Sequence, residues 1–211
     1  PEALFKLWDR NGDGKLVLNE LPPNAKPNFR KVDTNKDGAI SPAEHKAFLT
    51  RRPAPRAPQG VKVLRDLPYA DTDNPRQRLD LVLPEKRIGN DPLPLVVWIH
   101  GGGWRNGDKR SGTQRLAPLA ASGRYVGATL GYRLSGEAQW PAQIHDCKAA
   151  IRWLRANAKE YGIDPTRIAV WGSSAGGHLV SMLGVSGEVE VLEGKLGKHL
   201  GQSSRVQAVV N

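Results

Sequence analysis

At 211 residues, 39% apolar and 25% charged, the chain can bury a sizeable core in one large domain or two smaller ones, and its composition is that of a soluble globular protein. Its net charge of +10 raises the question of a nucleic-acid partner, but the basic residues are scattered, with no run longer than Arg51-Arg52 and no alternation with aromatics, so no nucleic-acid groove is expected. No apolar stretch reaches the roughly 18 residues that span a bilayer, and the single cysteine, Cys147, excludes an intrachain disulfide.

The chain starts at Pro1 and holds one methionine, Met182, so it is read as lacking its own translation start, and a removed export signal is compatible with that. Two twelve-residue loops come first. In residues 9–20, Asp9, Asn11 and Asp13 place oxygen donors at positions 1, 3 and 5, Gly14 stands at 6, Lys15 offers its carbonyl at 7, and Glu20 closes the loop at 12. Residues 33–44 repeat the pattern with Asp33, Asn35, Asp37, Gly38, the Ala39 carbonyl, Ser41 at position 9 and Glu44. A hard cation needs several oxygens around one point, and the glycine lets the chain bend sharply enough to supply them. Two calcium ions are therefore expected, in a structural role. Val17 at position 9 carries no oxygen, so the first site is expected to be the weaker. Leu16 and Ile40, both at position 8, are expected to pair the loops through a short ribbon. Pro22, Pro23 and Pro27 leave room for only a short helix after the first loop. Ser41-Pro42-Ala43-Glu44 also reads as a helix start, and between cap and metal Glu44 is assigned to the metal. His45 is expected at the surface. Residues 51–60, with three prolines in six positions, read as an extended linker between a calcium-binding pair over 1–50 and a second domain over 61–211.

The second domain opens with two strands over 61–67 and 78–83, the latter alternating apart from Asp80. Leu93 to Ile99 is a continuous apolar run of the kind buried on both faces of a parallel sheet. It ends in His100-Gly101-Gly102-Gly103-Trp104, where three glycines leave backbone N–H groups bare, as an acyl-transfer enzyme needs for its tetrahedral oxyanion. His100 is assigned to holding that loop by hydrogen bond, and Trp104 is a candidate wall of a substrate pocket. Residues 105–112 read as a surface segment before a helix that ends near Gly123. A strand over 125–130 follows, then a long helix from Trp140-Pro141 with Ile144, Cys147, Ile151, Leu154 and Ala158 on one face. Cys147 on that stripe reads as an inert buried thiol. Residues 168–171 form a last full strand that breaks into Gly172-Ser173-Ser174-Ala175-Gly176, and Leu179, Met182 and Leu183 mark the helix beyond. Strand, G-x-S-x-G, helix is the context in which the central serine is an exposed nucleophile on a strained turn. The helix dipole is aimed at any oxyanion forming beside Ser174. Residues 205–211 read as a strand cut off as it forms.

Together, His100-Gly-Gly-Gly-Trp104, Tyr132-Arg133-Leu134, Pro141 to Asp146 and Gly172 to His178 resemble bacterial α/β-hydrolases, most closely the carboxylesterase/lipase group that includes the BD-FAE (feruloyl-esterase-like) and acetyl-xylan-esterase-like enzymes. The resemblance implies a mostly parallel sheet flanked by helices, preceded by a small all-α EF-hand pair. It makes Ser174 the nucleophile and the amides of Gly102, Gly103 and Ala175 the oxyanion donors, acting on a small-molecule or polysaccharide-linked ester with no organic cofactor. EF-hand pairs fused ahead of a hydrolase are similar to modules of secreted or periplasmic bacterial enzymes. The family's acid and histidine follow later strands and are expected beyond Asn211, so the chain by itself is expected to be inactive. His178, one turn past the serine, occupies a packing position in the family, and His199 comes too early in the topology to serve. Three alternatives stand: a serine peptidase or an arylformamidase on the same fold, or a calcium-binding interaction protein with an inactive hydrolase scaffold.

Overall fold

The computed structural model describes residues 2–23, 25–50 and 58–211. The chain divides into two compact units, Pro1–Ala57 and Pro58–Asn211. Most of the expected linker, residues 51–57, lies outside the described residues.

In the first unit, α1 (Glu2–Trp8) leads into the first loop, a 3-10 turn over Lys26–Asn28 runs into α2 (Phe29–Val32), and α3 (Pro42–Thr50) follows the second loop. The short helix expected after the first loop is reduced to a turn over residues 18–20, where Pro22 and Pro23 would leave a longer one without donors. Leu16 and Ile40 form the expected ribbon, exchanging N–H···O bonds of 2.9 and 2.8 Å. Both are buried with Phe5, Leu21 and Val32, and Trp8, Phe29 and Phe48 pack around them. His45 is buried, not exposed: its ring lies 5.4 Å from that of Phe5 and 6.2 Å from that of Trp8, and burial lowers its pKa. So small a core takes any ring that the following helix offers.

The second unit runs β1 (Val61–Pro68), β2 (Arg78–Pro84), β3 (Leu93–Ile99), α4 (Thr113–Ala121), β4 (Val126–Leu130), α5 (Ala142–Ala156), α6 (Ala158–Tyr161), β5 (Ile163–Gly172), α7 (Ala175–Val185), α8 (Glu190–Glu193) and β6 (Ala208–Val210). One six-stranded sheet has the order β1-β2-β4-β3-β5-β6. β1, β2 and β4 pair antiparallel, whereas β4, β3, β5 and β6 run parallel. Side chains alternate along each strand, so the two faces feed two cores. Leu95, Val97, Ile99, Ile168 and Val170 meet Ile144, Ile151 and Leu154 of α5 and Leu179 and Leu183 of α7. On the other face Val82 and Trp98 meet Leu116, Ala117 and Ala120 of α4.

Covering both faces has a consequence for β2. Leu79, Asp80, Leu81 and Val82 are all wholly buried, so both faces of the strand are enclosed. Asp80 is enclosed along with its apolar neighbours. The segment 105–112 lies at the surface as read, except that Lys109 and Gly112 are buried in a 3-10 turn over Lys109–Gly112.

Candidate active site

The parallel strands β3 and β5 lie side by side with Ile99 opposite Gly172, so the chain segments leaving their C-terminal ends meet. This is the edge at which ligands bind in open α/β sheets. Ser174 sits between β5 and α7 at φ 56°, ψ −124°, a backbone region that costs a non-glycine residue about 1–3 kcal/mol and marks functional turns. It is exposed. The turn closes only because its flanks lack side chains. A Cβ on Gly172 would stand 2.4 Å from the Gly176 carbonyl oxygen, and one on Gly176 would stand 2.2 Å from that of Ile99.

The glycine loop docks against this turn. A Cβ on Gly101 would lie 3.3 Å from Ser174 Cβ and 2.7 Å from the Ser173 carbonyl oxygen, so glycine is what lets the two backbones approach. Gly102, at φ 117°, turns the loop: its carbonyl accepts from Arg105 N and Asn106 N, both at 3.1 Å. Among the described residues, none of the hydrogen bonds uses the N–H of Gly102, Gly103 or Ala175 as donor.

His100 anchors the start of the loop. Its ring stacks on Tyr132 at 4.3 Å, Nδ1 lies 2.8 Å from the Gly101 carbonyl, and the Tyr132 hydroxyl donates to the His100 carbonyl at 2.8 Å. Nε2 is buried without a partner, and burial lowers the imidazole pKa below its ordinary value. The ring is therefore a neutral structural post, in keeping with the holding role assigned to it from the sequence.

That burial fixes a pH dependence. A histidine whose folded pKa lies below the unfolded value of about 6.5 binds fewer protons when folded, so its contribution to stability is intact above that pH and is lost as pH falls below it. We expect the unfolding midpoint of the second unit to drop as pH falls from about 6.5 toward 5, and to drop less steeply in His100→Gln. Equal slopes in the two proteins would contradict this.

Beside the serine turn, Gly103, Trp104, Arg105, Ser135, Trp140, Gln143 and His178 line a groove of about 520 Å³. His178 lies one helical turn from Ser174, with its N–H on the Ser174 carbonyl at 3.0 Å. It is more exposed than a packing position: Trp104 and Trp140 meet its ring edge-on at 5.4 and 5.5 Å. Trp104 carries a left-handed backbone, φ 59°, and its carbonyl accepts from Ser135 N at 2.8 Å.

The other polar sequence blocks are frame. Asp146 is wholly buried and accepts from Arg133 N (2.8 Å), Arg133 Nη2 (2.8 Å) and Gln77 Nε2 (2.7 Å), tying the Tyr132-Arg133 segment to α5. His145 turns away to the Val191 carbonyl at 3.0 Å, so the adjacent pair is no acid–base couple. Cys147 is buried, and burial drives its thiol pKa well above the ordinary value, leaving it inert. Glu193 takes Lys148 at 2.6 Å and Arg152 at 3.1 Å and accepts from Glu188 N and Ser204 Oγ, tying their segment to α5.

The two loops of the first unit fold alike. Asp9 and Asp33 accept from Gly14 N and Gly38 N at 3.0 and 3.1 Å, and Asn11 and Asn35 accept from Asp13 N and Asp37 N at 3.0 Å each. Asp13 and Asp37 accept from Lys15 N and Ala39 N at 2.8 and 2.9 Å. Glu20 accepts from Arg10 N and Val17 N; Glu44 accepts from Thr34 N, Ser41 N and Ser41 Oγ. Glu44 thus caps the helix start, and the Ser41 amide and hydroxyl lower its pKa to about 2. Among the described residues no cluster of three or more His, Cys, Asp or Glu side chains is placed to share a metal ion. The donor set still fits a hard cation, being all oxygen, and Asp33 Oδ1 is buried without a partner.

Residues 79–211 match the BD-FAE family, and residues 28–49, which hold the second loop, match the EF hand. Esterase LipC of Mycobacterium tuberculosis is 35% identical over 181 residues, covering 82% of this chain and 43% of LipC. Carboxylesterase NlhH of the same species is 42% identical over 96 residues, 46% of this chain and 30% of NlhH. Among solved structures, a truncated carbohydrate esterase from gut microbiota superposes with a TM-score of 0.66 at 32% identity, covering 74% of this chain and 57% of that one. Esterase B of Lactobacillus rhamnosis gives 0.63 at 31% identity, with 88% and 56% covered. The chain spans less than half the length of the curated relatives it matches.

Proposed function

This chain belongs to the BD-FAE family of α/β-hydrolase esterases, and on that premise we propose that the protein hydrolyses carboxylic esters through an acyl-enzyme formed on Ser174. The observation that carries the reading is the meeting of two strained turns: exposed Ser174 at φ 56° lies against a loop whose glycines admit the backbone at van der Waals distance. Ser174 Oγ attacks the ester carbonyl carbon and gives its proton to a histidine. The negative oxygen that results is held by the amides of Gly102, Gly103 and Ala175, each worth on the order of 3 kcal/mol in the transition state. The alcohol leaves with the proton, water attacks the acyl-serine carbonyl, and the acid is released. The histidine and its acid partner are assigned to sequence beyond Asn211, in keeping with the greater length of the relatives. The groove of Trp104, Trp140 and His178 suits an ester carrying a ring, sugar or aryl, on one side of the scissile bond.

A panel of acetyl ester, feruloyl ester, aryl formamide and aminoacyl substrates offered to the intact protein tests the reaction class. We expect kcat/KM for an ester to exceed that for either amide by at least about a hundredfold, roughly 2.7 kcal/mol. Preference for the formamide or the aminoacyl substrate would overturn the ester reading, and turnover of none would favour a binding protein on an inactive scaffold.

For the first unit we propose calcium held by Asp9, Asn11, Asp13, the Lys15 carbonyl and Glu20, and by Asp33, Asn35, Asp37, the Ala39 carbonyl, Ser41 and Glu44. The ion would satisfy Asp33 Oδ1 and draw Glu20 and Glu44 from their loop amides. Binding that favours the folded unit stabilises it by mass action. Titrating calcium into the chelator-treated protein is expected to raise the melting midpoint of residues 1–50 while changing ester turnover less than about twofold. Asp33→Ala should abolish the greater part of the shift, since the first loop has no oxygen at Val17. A large change in turnover would make calcium a regulator instead.

A further inference from the structure

Lysine is rarely buried unless paired, yet the Lys109 side chain is only 6% exposed. Its ammonium bonds Asp80, which is wholly buried on β2, and Asp66 at 2.7 Å on β1. Arg65 completes the cluster, 3.5 Å from Asp80 Oδ2. Asp66 stands where the β1–β2 register shifts, at φ 58°, and its N–H donates to Asp80 Oδ1 at 2.8 Å. Its own side chain is 55% exposed, so the bulge turns it toward the lysine without burying it.

Filling space between a strand and a turn does not call for this arrangement. A buried ion pair is often matched or bettered by apolar residues of like volume, and its best-attested use is to fix one geometry among several. What stands to be fixed here is the glycine loop. From Gly103 to Asp108 it is exposed, so apart from Trp104 against His178 it has little apolar packing of its own. Midway the Trp104 carbonyl accepts from Ser135 N at 2.8 Å, and the rest of its conformation is set by its ends. At the start stands His100 on Tyr132. At the exit the Gly107 carbonyl accepts from Arg76 Nη1 at 3.0 Å, a Cβ on Gly107 would stand 2.4 Å from His100 Nδ1, and two residues later comes Lys109.

We propose that Lys109 is a positioning residue for the proposed oxyanion loop: its ammonium, held by Asp80 and Asp66, fastens the loop exit to the edge hairpin and so sets where the Gly102 and Gly103 amides stand. The inference rests on the acyl-transfer reading of Ser174. A displacement of about 1 Å in a catalytic donor costs on the order of a hundredfold in rate.

In the intact protein, Lys109→Met is expected to lower kcat for a short-chain aryl ester by about 10- to 100-fold with KM changed less than about threefold. The affinity of a trifluoromethyl ketone transition-state analogue should fall by the same factor as kcat/KM. Lys109→Arg should recover part of both losses, and Asp66→Asn, which leaves the Asp80 bond, should give a smaller loss in the same ratio. A Lys109→Met protein that melts lower but keeps wild-type kcat and analogue affinity would overturn the proposal. Should that variant fail to fold, half-exposed Asp66 decides, and wild-type kcat and analogue affinity in Asp66→Asn would overturn it. Ser174→Ala separates the two readings. If it keeps turnover, acyl transfer at Ser174 falls and this inference with it. If it is inactive while the Lys109 and Asp66 variants are unimpaired, the positioning role alone falls.

Discussion

Ser174→Ala in the intact protein is expected to lower kcat for ester hydrolysis by on the order of 10⁴-fold or more while leaving KM within a few fold. In the proposed acyl transfer the serine oxygen is the atom that bonds to the acyl carbon, so removing it deletes a step that binding cannot replace. What survives is the contribution of donors and binding alone, which in serine hydrolases amounts to a residual on the order of 10³–10⁴ over water. The fold should be untouched. Ser174 is exposed and caps nothing with its side chain, and alanine relieves none of the φ 56° strain because it carries the same Cβ. An unchanged melting midpoint with lost turnover is the paired result. A variant retaining more than about a tenth of wild-type kcat would remove Ser174 from the chemistry.

The second large effect belongs to a residue that touches no substrate. Gly176→Ala would set a methyl group 2.2 Å from the Ile99 carbonyl oxygen and 2.7 Å from that of His100. Both neighbours are backbone of β3 and of the loop that leaves it, so nothing can swing aside as a side chain would. Relief requires α7 to move off the sheet. Overpacking a close-packed site costs about 1–3 kcal/mol, occasionally more, and a shift that reaches Ser174 also moves it from the glycine loop. We expect Gly176→Ala to lose several degrees of melting temperature and at least about a hundredfold in kcat. At Gly136, with nothing within 4 Å of the added carbon, the same substitution should leave both quantities near wild type. Similar behaviour at the two positions would mean that α7 accommodates the methyl and that contact with β3 does not fix the serine.

Much of this architecture was legible in the sequence, for identifiable reasons. The strand over 93–99 is buried on both faces and has no polar position to blur it. The break at 172–176 is written in glycines that the backbone contacts require. Leu16 and Ile40 were readable as a pair because the loop template fixes position 8. What escaped depended on partners far along the chain. Asp80 interrupts an apolar strand, and a carboxylate there signals a buried cation, but nothing local identifies Lys109, 29 residues on, as that cation. Residues 105–112 are at the surface as read, and only the burial of Lys109 and Gly112 within them escaped. His45 looked solvated until the small core of the first unit claimed it. His178 could be placed one turn from Ser174, but not between two indoles, since Trp104 and Trp140 reach it from separate loops.

The most direct test of the central claim is a rapid-quench experiment on the intact protein with a p-nitrophenyl ester, followed by peptide mass analysis. The account predicts a burst of about one equivalent of p-nitrophenol and an acyl mass increment on the peptide bearing Ser174, trappable where deacylation is the slower step. An acyl group on any other residue, or turnover by direct attack of water with no covalent species under conditions that make deacylation rate-limiting, would contradict it.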